Sequence, residues 1–269
     1  MKNKVGIVQG RLTAAPKARL QFFPKNWRNE FAIAQSSKID FIEFFSERII
    51  NKKNPIWNDK DLNEYIKLAK KNKLKILNFC DDHIIQNSIL KKTTIKYLKI
   101  LIKQCGKLKI KNIIFPMYSK SELTNLNWKK YIKVFKLLGN FANRFNISIL
   151  IESDISSKYF KNLKNKIKIK NFYFLFDTGN RVITQSNIYQ DIIEFNKDIK
   201  HIHIKDKNKN KKNVILGEGM VDFELIFKKL KKIKFKGNFT IESVRGKKPE
   251  ITAKKNVIKL KKLINKNLI

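Results

Sequence analysis

The chain has 269 residues, 42% of them hydrophobic, and no run approaches the roughly 18 consecutive apolar residues of a membrane span. Cys80 and Cys105 are too few for a disulfide framework, and the apolar run Val5–Val8 is too brief for a signal-peptide core, so a reducing cytoplasm is expected. The net charge is +38, yet only seven of the 60 basic residues are arginine, the side chain whose fork reads phosphates, so the excess is read as a solvated lysine coat and neither a nucleic-acid nor a membrane partner is expected.

Residues 5–9 form a short apolar strand, followed by Gly10-Arg11-Leu12 and a Pro-containing loop to about Lys25. Trp27, Phe31 and Ala34, spaced four and three apart, mark a helix over residues 27–37. Residues 39–44 are the second strand, with Glu43 near its end. Asp59 is expected to cap a helix striped by Leu62, Tyr65, Ile66 and Ala69. A strand over residues 74–79 runs into Cys80-Asp81-Asp82-His83. The third helix carries Thr94, Leu98, Leu101, Ile102 and Cys105, and the strand over 112–117 is stopped by Pro116.

The fourth helix is striped by Tyr131, Val134, Phe135, Leu138 and Phe141, and the fifth strand spans 147–152. A Lys-rich helix over 157–166 leads to a strand over 172–177, and a helix over 189–196 to a strand over 200–205. A polar loop, 207–213, precedes Leu216-Gly217-Glu218-Gly219, whose glycines are read as turn residues. Asp222 then caps a helix bearing Phe223, Ile226, Phe227 and Leu230, before a strand over 238–242 and a helix from about 250 to 263.

Strands and helices thus alternate eight times, at about 33 residues per unit, which predicts a (β/α)8 TIM barrel forming one domain over residues 1–269. A doubly wound open sheet is the alternative, but no G-x-G-x-x-G turn follows the first strand. In such a barrel every strand ends on one face, and Glu152, Asp177, His203 and Glu242 end strands five to eight. Charged groups directly after apolar residues need a partner or a metal. Three carboxylates and one imidazole are a mostly oxygen donor set, suited to Mn2+, Mg2+ or Co2+, with Zn2+ also within its range. The competing reading is four ordinary carboxylates and imidazoles paired with the many lysines. With a metal to polarise a carbonyl and hold the enediolate, Glu152 and Glu242 could move a proton beside that carbonyl as a base and acid pair.

Ile151-Glu152-Ser153, Phe176-Asp177-Thr178-Gly179-Asn180, His201-Ile202-His203-Ile204-Lys205-Asp206, Leu216-Gly217-Glu218-Gly219-Met220-Val221-Asp222-Phe223 and Ile241-Glu242-Ser243 together resemble the xylose isomerase-like barrels, the sugar-phosphate isomerases and epimerases. The resemblance covers nearly the whole chain. It implies Glu152, Asp177, His203 and Glu242 as ligands of a divalent metal, with both glutamates in proton transfer. It also implies a small sugar or sugar phosphate as substrate. Many epimerases of the family have a substrate-contacting histidine three residues after the ligand aspartate; this chain has Asn180 there.

Other residues are weighed one by one. Arg245, three residues past Glu242, could contact a phosphate or substrate oxygen. Lys205 shares strand parity with His203 and could neutralise substrate charge, as could Arg11 after the first strand. Glu43 could accept from a hydroxyl or, equally, form a salt bridge, and His83 could touch substrate or close a second site, although a loop histidine more often does neither. His201 is read as an interior histidine one layer below His203. The leading expectation is a metal-dependent sugar isomerase or epimerase. An inosose-type dehydratase is the chemical neighbour, since loss of the same proton followed by loss of a β-hydroxyl is elimination. An endonuclease IV-like enzyme would draw on more histidines than the three present. A barrel that binds a ligand without catalysis ranks behind these because both glutamates are present, and a homo-oligomer is left open.

Overall fold

The computed structural model describes residues 3–16, 21–185 and 187–268. Residues 17–20, part of the expected loop after the first strand, lie outside them. The elements run β1 (Val5–Val8), α1 (Asn29–Ser36), β2 (Phe41–Ser46), α2 (Asp59–Lys71), β3 (Asn78–Asp81), α3 (His83–Gln86), α4 (Lys92–Lys107), β4 (Asn112–Pro116), α5 (Ile132–Asn143), β5 (Ser148–Glu152) and α6 (Ser157–Ile167). They continue with β6 (Phe172–Asp177), α7 (Thr178–Thr184), α8 (Ile188–Phe195), β7 (Ile199–Ile204), β8 (Asp206–Lys207), β9 (Asn213–Val214), α9 (Phe223–Lys232), β10 (Asn238–Ile241) and α10 (Pro249–Leu268). Strand neighbours follow the order β1-β10-β7-β6-β5-β4-β3-β2 and close into a parallel barrel, the expected (β/α)8 fold. Among the described residues no helix is long and apolar enough to cross a membrane.

Contacts group the chain into two compact units, Met1–Glu43 with Leu68–Lys75 and Phe174–Ile269, and Phe44–Lys67 with Ile76–Tyr173. In the first, alternation sorts each strand into two faces. Phe239 packs on Phe227 of α9, with centroids 5.3 Å apart, and Phe174 stacks on Phe195 of α8 at 4.0 Å. The intervening positions, Thr240 on β10 and His201 and His203 on β7, therefore face the other way, into the barrel. In the second unit Phe44 stacks on Tyr65 of α2 at 4.3 Å, and Phe172 takes Phe135 and Phe160 at 5.2 and 5.6 Å.

Several boundaries differ from the sequence expectation. Asn58, not Asp59, caps α2: its Oδ1 accepts from the amides of Lys60 and Asp61, and Asp59 is already in the first turn. The third strand lies over Asn78–Asp81 instead of 74–79, because Leu74 still closes the end of α2 through a bond from its amide to Ala69 O. The extra helix α7 starts at the end of β6, and the polar loop after β7 is folded into the antiparallel pair β8 and β9. Asp222 caps α9 as expected, accepting from the Leu225 amide.

Candidate active site

β7 carries the centre of the site. His203, buried, has Nε2 2.8 Å from Glu43 Oε1 and Nδ1 3.0 Å from Glu242 Oε2, with Asp177 Oδ2 at 3.9 Å from Nδ1. The pairing of Asp177 with His203, and of Thr240 with His203, in the neighbouring strands brings these ends to one level. One layer below, His201 Nε2 meets Thr240 Oγ1 at 2.7 Å, and the Thr240 hydroxyl donates to Glu43 Oε2 at 2.9 Å. Glu43 thus has one oxygen on His203 and the other on Thr240. Of the two readings of Glu43, the structure shows its pairing with an imidazole, and the hydroxyl it accepts from is that of Thr240.

Asp177 does two things. Its Oδ1 caps α7 by accepting from the Asn180 amide at 2.7 Å, which points Oδ2 toward Lys205 Nζ at 2.9 Å. Lys205 Nζ is also 3.0 Å from Glu242 Oε1. Glu242 Oε1 further accepts from Gln21 Nε2 at 2.8 Å and lies 3.5 Å from an Arg11 guanidinium nitrogen.

Arg11 is aimed by a carboxylate that sequence reasoning passed over. Glu30 of α1, buried, accepts from Gln9 Nε2, the amides of Gly10 and Leu12, and Thr13 Oγ1 at 2.6 to 3.1 Å, wrapping the loop around itself. The signal was there: Glu30 falls at the i+3 position of the Trp27, Phe31, Ala34 stripe, on an apolar face. Thr240 was likewise findable, two residues before Glu242 and so on the same strand face. Arg245 donates from Nε to Gly10 O at 2.7 Å and lies over the Phe22 ring at 4.7 Å.

The charges are mutually supporting. Burial alone would lower the His203 pKa, but the carboxylates of Glu43 and Glu242 hold it well above the ordinary imidazole value. Burial would raise the pKa of Glu43 and Glu242; His203 and His201 pull Glu43 down, and Lys205, His203 and Arg11 pull Glu242 down. Both therefore stay ionised. His201 is lowered, by burial first and then by the charge of His203, as suits a neutral interior imidazole. Arg245 is lowered to about 9 by burial and by the nearby Arg11.

Glu152 ends β5 and is buried, with Tyr118 Oη 3.3 Å from its Oε1. His83 opens α3; its Nδ1 is 3.0 Å from Arg48 O and its ring lies 4.3 Å from that of Tyr97. Gly217 and Gly219 are turn residues, with φ of +85° at Gly217, and their amides bind the Asp206 carboxylate at 2.8 and 2.9 Å. They cradle a carboxylate of the chain itself.

Glu43, His201 and His203 each offer a ligand atom within 4.8 Å of the others, so this buried cluster could hold a metal ion. Its hydrogen bonds through Thr240 already use His201 and the second oxygen of Glu43. At the strand ends Asp177 Oδ2 and His203 Nδ1 lie 3.9 Å apart beside Glu242, whose oxygens are engaged by His203, Lys205 and Gln21, with the Lys205 ammonium drawn between the two carboxylates. Such a set fits a divalent cation.

A closed parallel barrel with carboxylates and an imidazole at its strand ends defines the class. The chain belongs to the xylose isomerase-like TIM barrel family, whose model matches residues 31–263. No curated protein matches. Among solved structures, an L-ribulose 3-epimerase has a TM-score of 0.79 at 13% identity, covering 98% of this chain and 95% of that one. The D-psicose 3-epimerase of Clostridium cellulolyticum H10, solved with D-tagatose, has a TM-score of 0.77 at 14% identity over 97% and 99% of the two chains. The IOLI protein with a bound zinc atom has a TM-score of 0.70 at 16% identity over 98% of each.

Proposed function

We propose that the protein is a metal-dependent isomerase or epimerase acting on a small sugar or sugar derivative. The observation that carries this reading is the convergence of Asp177, His203 and Glu242 at the strand ends, His203 Nδ1 being 3.0 Å from Glu242. These three would hold the metal, with Glu152 at the end of β5 as the fourth ligand that the family pattern implies. Mn2+, Mg2+ and Co2+ suit the oxygen-rich set, and the zinc atom of the IOLI relative keeps Zn2+ in view. A divalent metal, when bound, polarises a carbonyl and stabilises the negative charge that builds when the neighbouring C–H bond breaks.

The rest is the work of the chain's own side chains. In the metal-free site Glu242 is held ionised beside Lys205, His203 and Arg11, the form in which a carboxylate accepts a proton. Glu152 completes the pair, one glutamate taking the proton from carbon and the other returning one. Arg11, Lys205 and Arg245 supply positive charge and donors for substrate oxygens. The relatives named for 3-epimerisation of ketoses support this reading of the substrate class.

The test is incubation with Mn2+ in deuterated water and a panel of ketoses, inositol ketones and their phosphates. Deuterium entering the carbon beside the carbonyl without net loss of water is the expected result, and Glu152→Gln and Glu242→Gln should abolish it. Loss of water would assign a dehydratase. Absence of exchange across the panel, with metal bound, would overturn the reading.

A further inference from the structure

Lys205 has a built path into the ligand set. Thr178 Oγ1 takes the Lys205 amide at 3.0 Å and bonds to its carbonyl at 2.6 Å, pinning the backbone at the end of β7. The stem then crosses the first turn of α7 at Gly179, where a Cβ would lie 2.7 Å from Lys205 Cγ and 2.9 Å from its Cβ. Only glycine leaves that passage open. The ammonium ends 2.9 Å from Asp177 Oδ2 and 3.0 Å from Glu242 Oε1, with the side chain 6% exposed.

Those oxygens are two of the donors assigned above to a divalent metal. A buried carboxylate pair without cations is strongly disfavoured; His203 and Arg11 also lie beside Glu242, and the Lys205 ammonium is the cation that bridges the two carboxylates. A divalent ion on the same oxygens would face that ammonium at short range, where like charges repel strongly because a buried site is poorly screened. Both cations cannot keep the geometry seen here.

Resting on the metal reading, we propose that Lys205 is the resident counter-cation of the metal-free site and that a divalent metal enters by displacing its ammonium from Asp177 and Glu242. Lys205 thereby keeps the empty barrel end folded and sets the metal affinity below what the donor set alone would give. It is a positioning residue for the metal, acting through two carboxylates.

The experiment compares wild type, Lys205→Met and Lys205→Gln. Calorimetric titration with Mn2+ should show Kd at least tenfold tighter in both variants, while the metal-free Tm falls and the rise in Tm on adding Mn2+ grows. In the wild type, acetylation mapped by mass spectrometry should find Lys205 more reactive with Mn2+ than without, a readout that needs no variant to fold. Wild type that binds Mn2+ with Lys205 reactivity unchanged overturns the proposal, as do folded variants of equal or weaker affinity. Wild type that binds neither Mn2+, Co2+ nor Zn2+ overturns the metal reading itself.

Discussion

Glu43 Oε1 and His203 Nε2 lie 2.8 Å apart, with both side chains sealed from solvent. The carboxylate fixes which way the imidazole faces, leaving Nδ1 toward Asp177 and Glu242. A carboxylate behind a ligating histidine orients the ring and raises its basicity, and its loss costs about 10- to 100-fold in metal affinity. Glu43→Ala should weaken Mn2+ binding within that range and Glu43→Gln by less, read by calorimetry. Unchanged affinity in Glu43→Ala would leave Glu43 with no part in the site.

Arg181 is buried against three rings, Phe174, Phe176 and Phe195, with its guanidinium carbon 5.1 to 5.4 Å from their centroids, and it pairs with Asp191 at 2.6 Å. Breaking a buried pair from one side leaves the other charge uncompensated, at a cost of about 3–5 kcal/mol. Asp191 keeps some solvent access, so Arg181→Ala should destabilise by about 3 kcal/mol in urea unfolding. Arg181→Met fills the cage and should lose less.

Asp81 is buried, with Ser46 Oγ and Tyr97 Oη donating to its Oδ1 at 2.5 and 2.9 Å. Burial outweighs both donors and raises its pKa. A carboxyl raised on folding holds its proton longer in the folded chain. Its contribution is therefore full below the unfolded value of about 3.9 and declines as pH rises toward the folded value. Asp81→Asn does not titrate, so its stability relative to wild type should improve between pH 4 and pH 7. Urea unfolding at the two pH values measures this, and a gap that narrows in the opposite direction would refute it.

Asp206 accepts from the amides of Gly217, Gly219 and Val221 at 2.8 to 3.1 Å and is fully buried. Asp206→Ala leaves three amides without their acceptor, at about 1–3 kcal/mol for each group left buried and unsatisfied. The expected result is faster proteolytic cleavage within residues 215–221 and a lower Tm, with Asp206→Asn intermediate.

Strand period and strand end were local properties, and they were legible. Alternation in His201-Ile202-His203-Ile204-Lys205 placed both histidines and the lysine on one face, and eight such segments at regular spacing implied closure of the barrel. The strand-end residues Asp177, His203 and Glu242 followed from that alone. What the sequence by itself could not determine was which charges meet. Lys205 could be read as facing a substrate, and closure places its ammonium between Asp177 and Glu242; Glu43 could be read at a hydroxyl or in a salt bridge, and closure pairs it with His203 and Thr240. Glu30, far along the chain from Glu242, organises the loop that brings Arg11 beside it. Periodicity is written within a few residues, whereas these pairings join distant segments, Gln21 and Glu242 being 221 positions apart, and exist only once closure sets their distances.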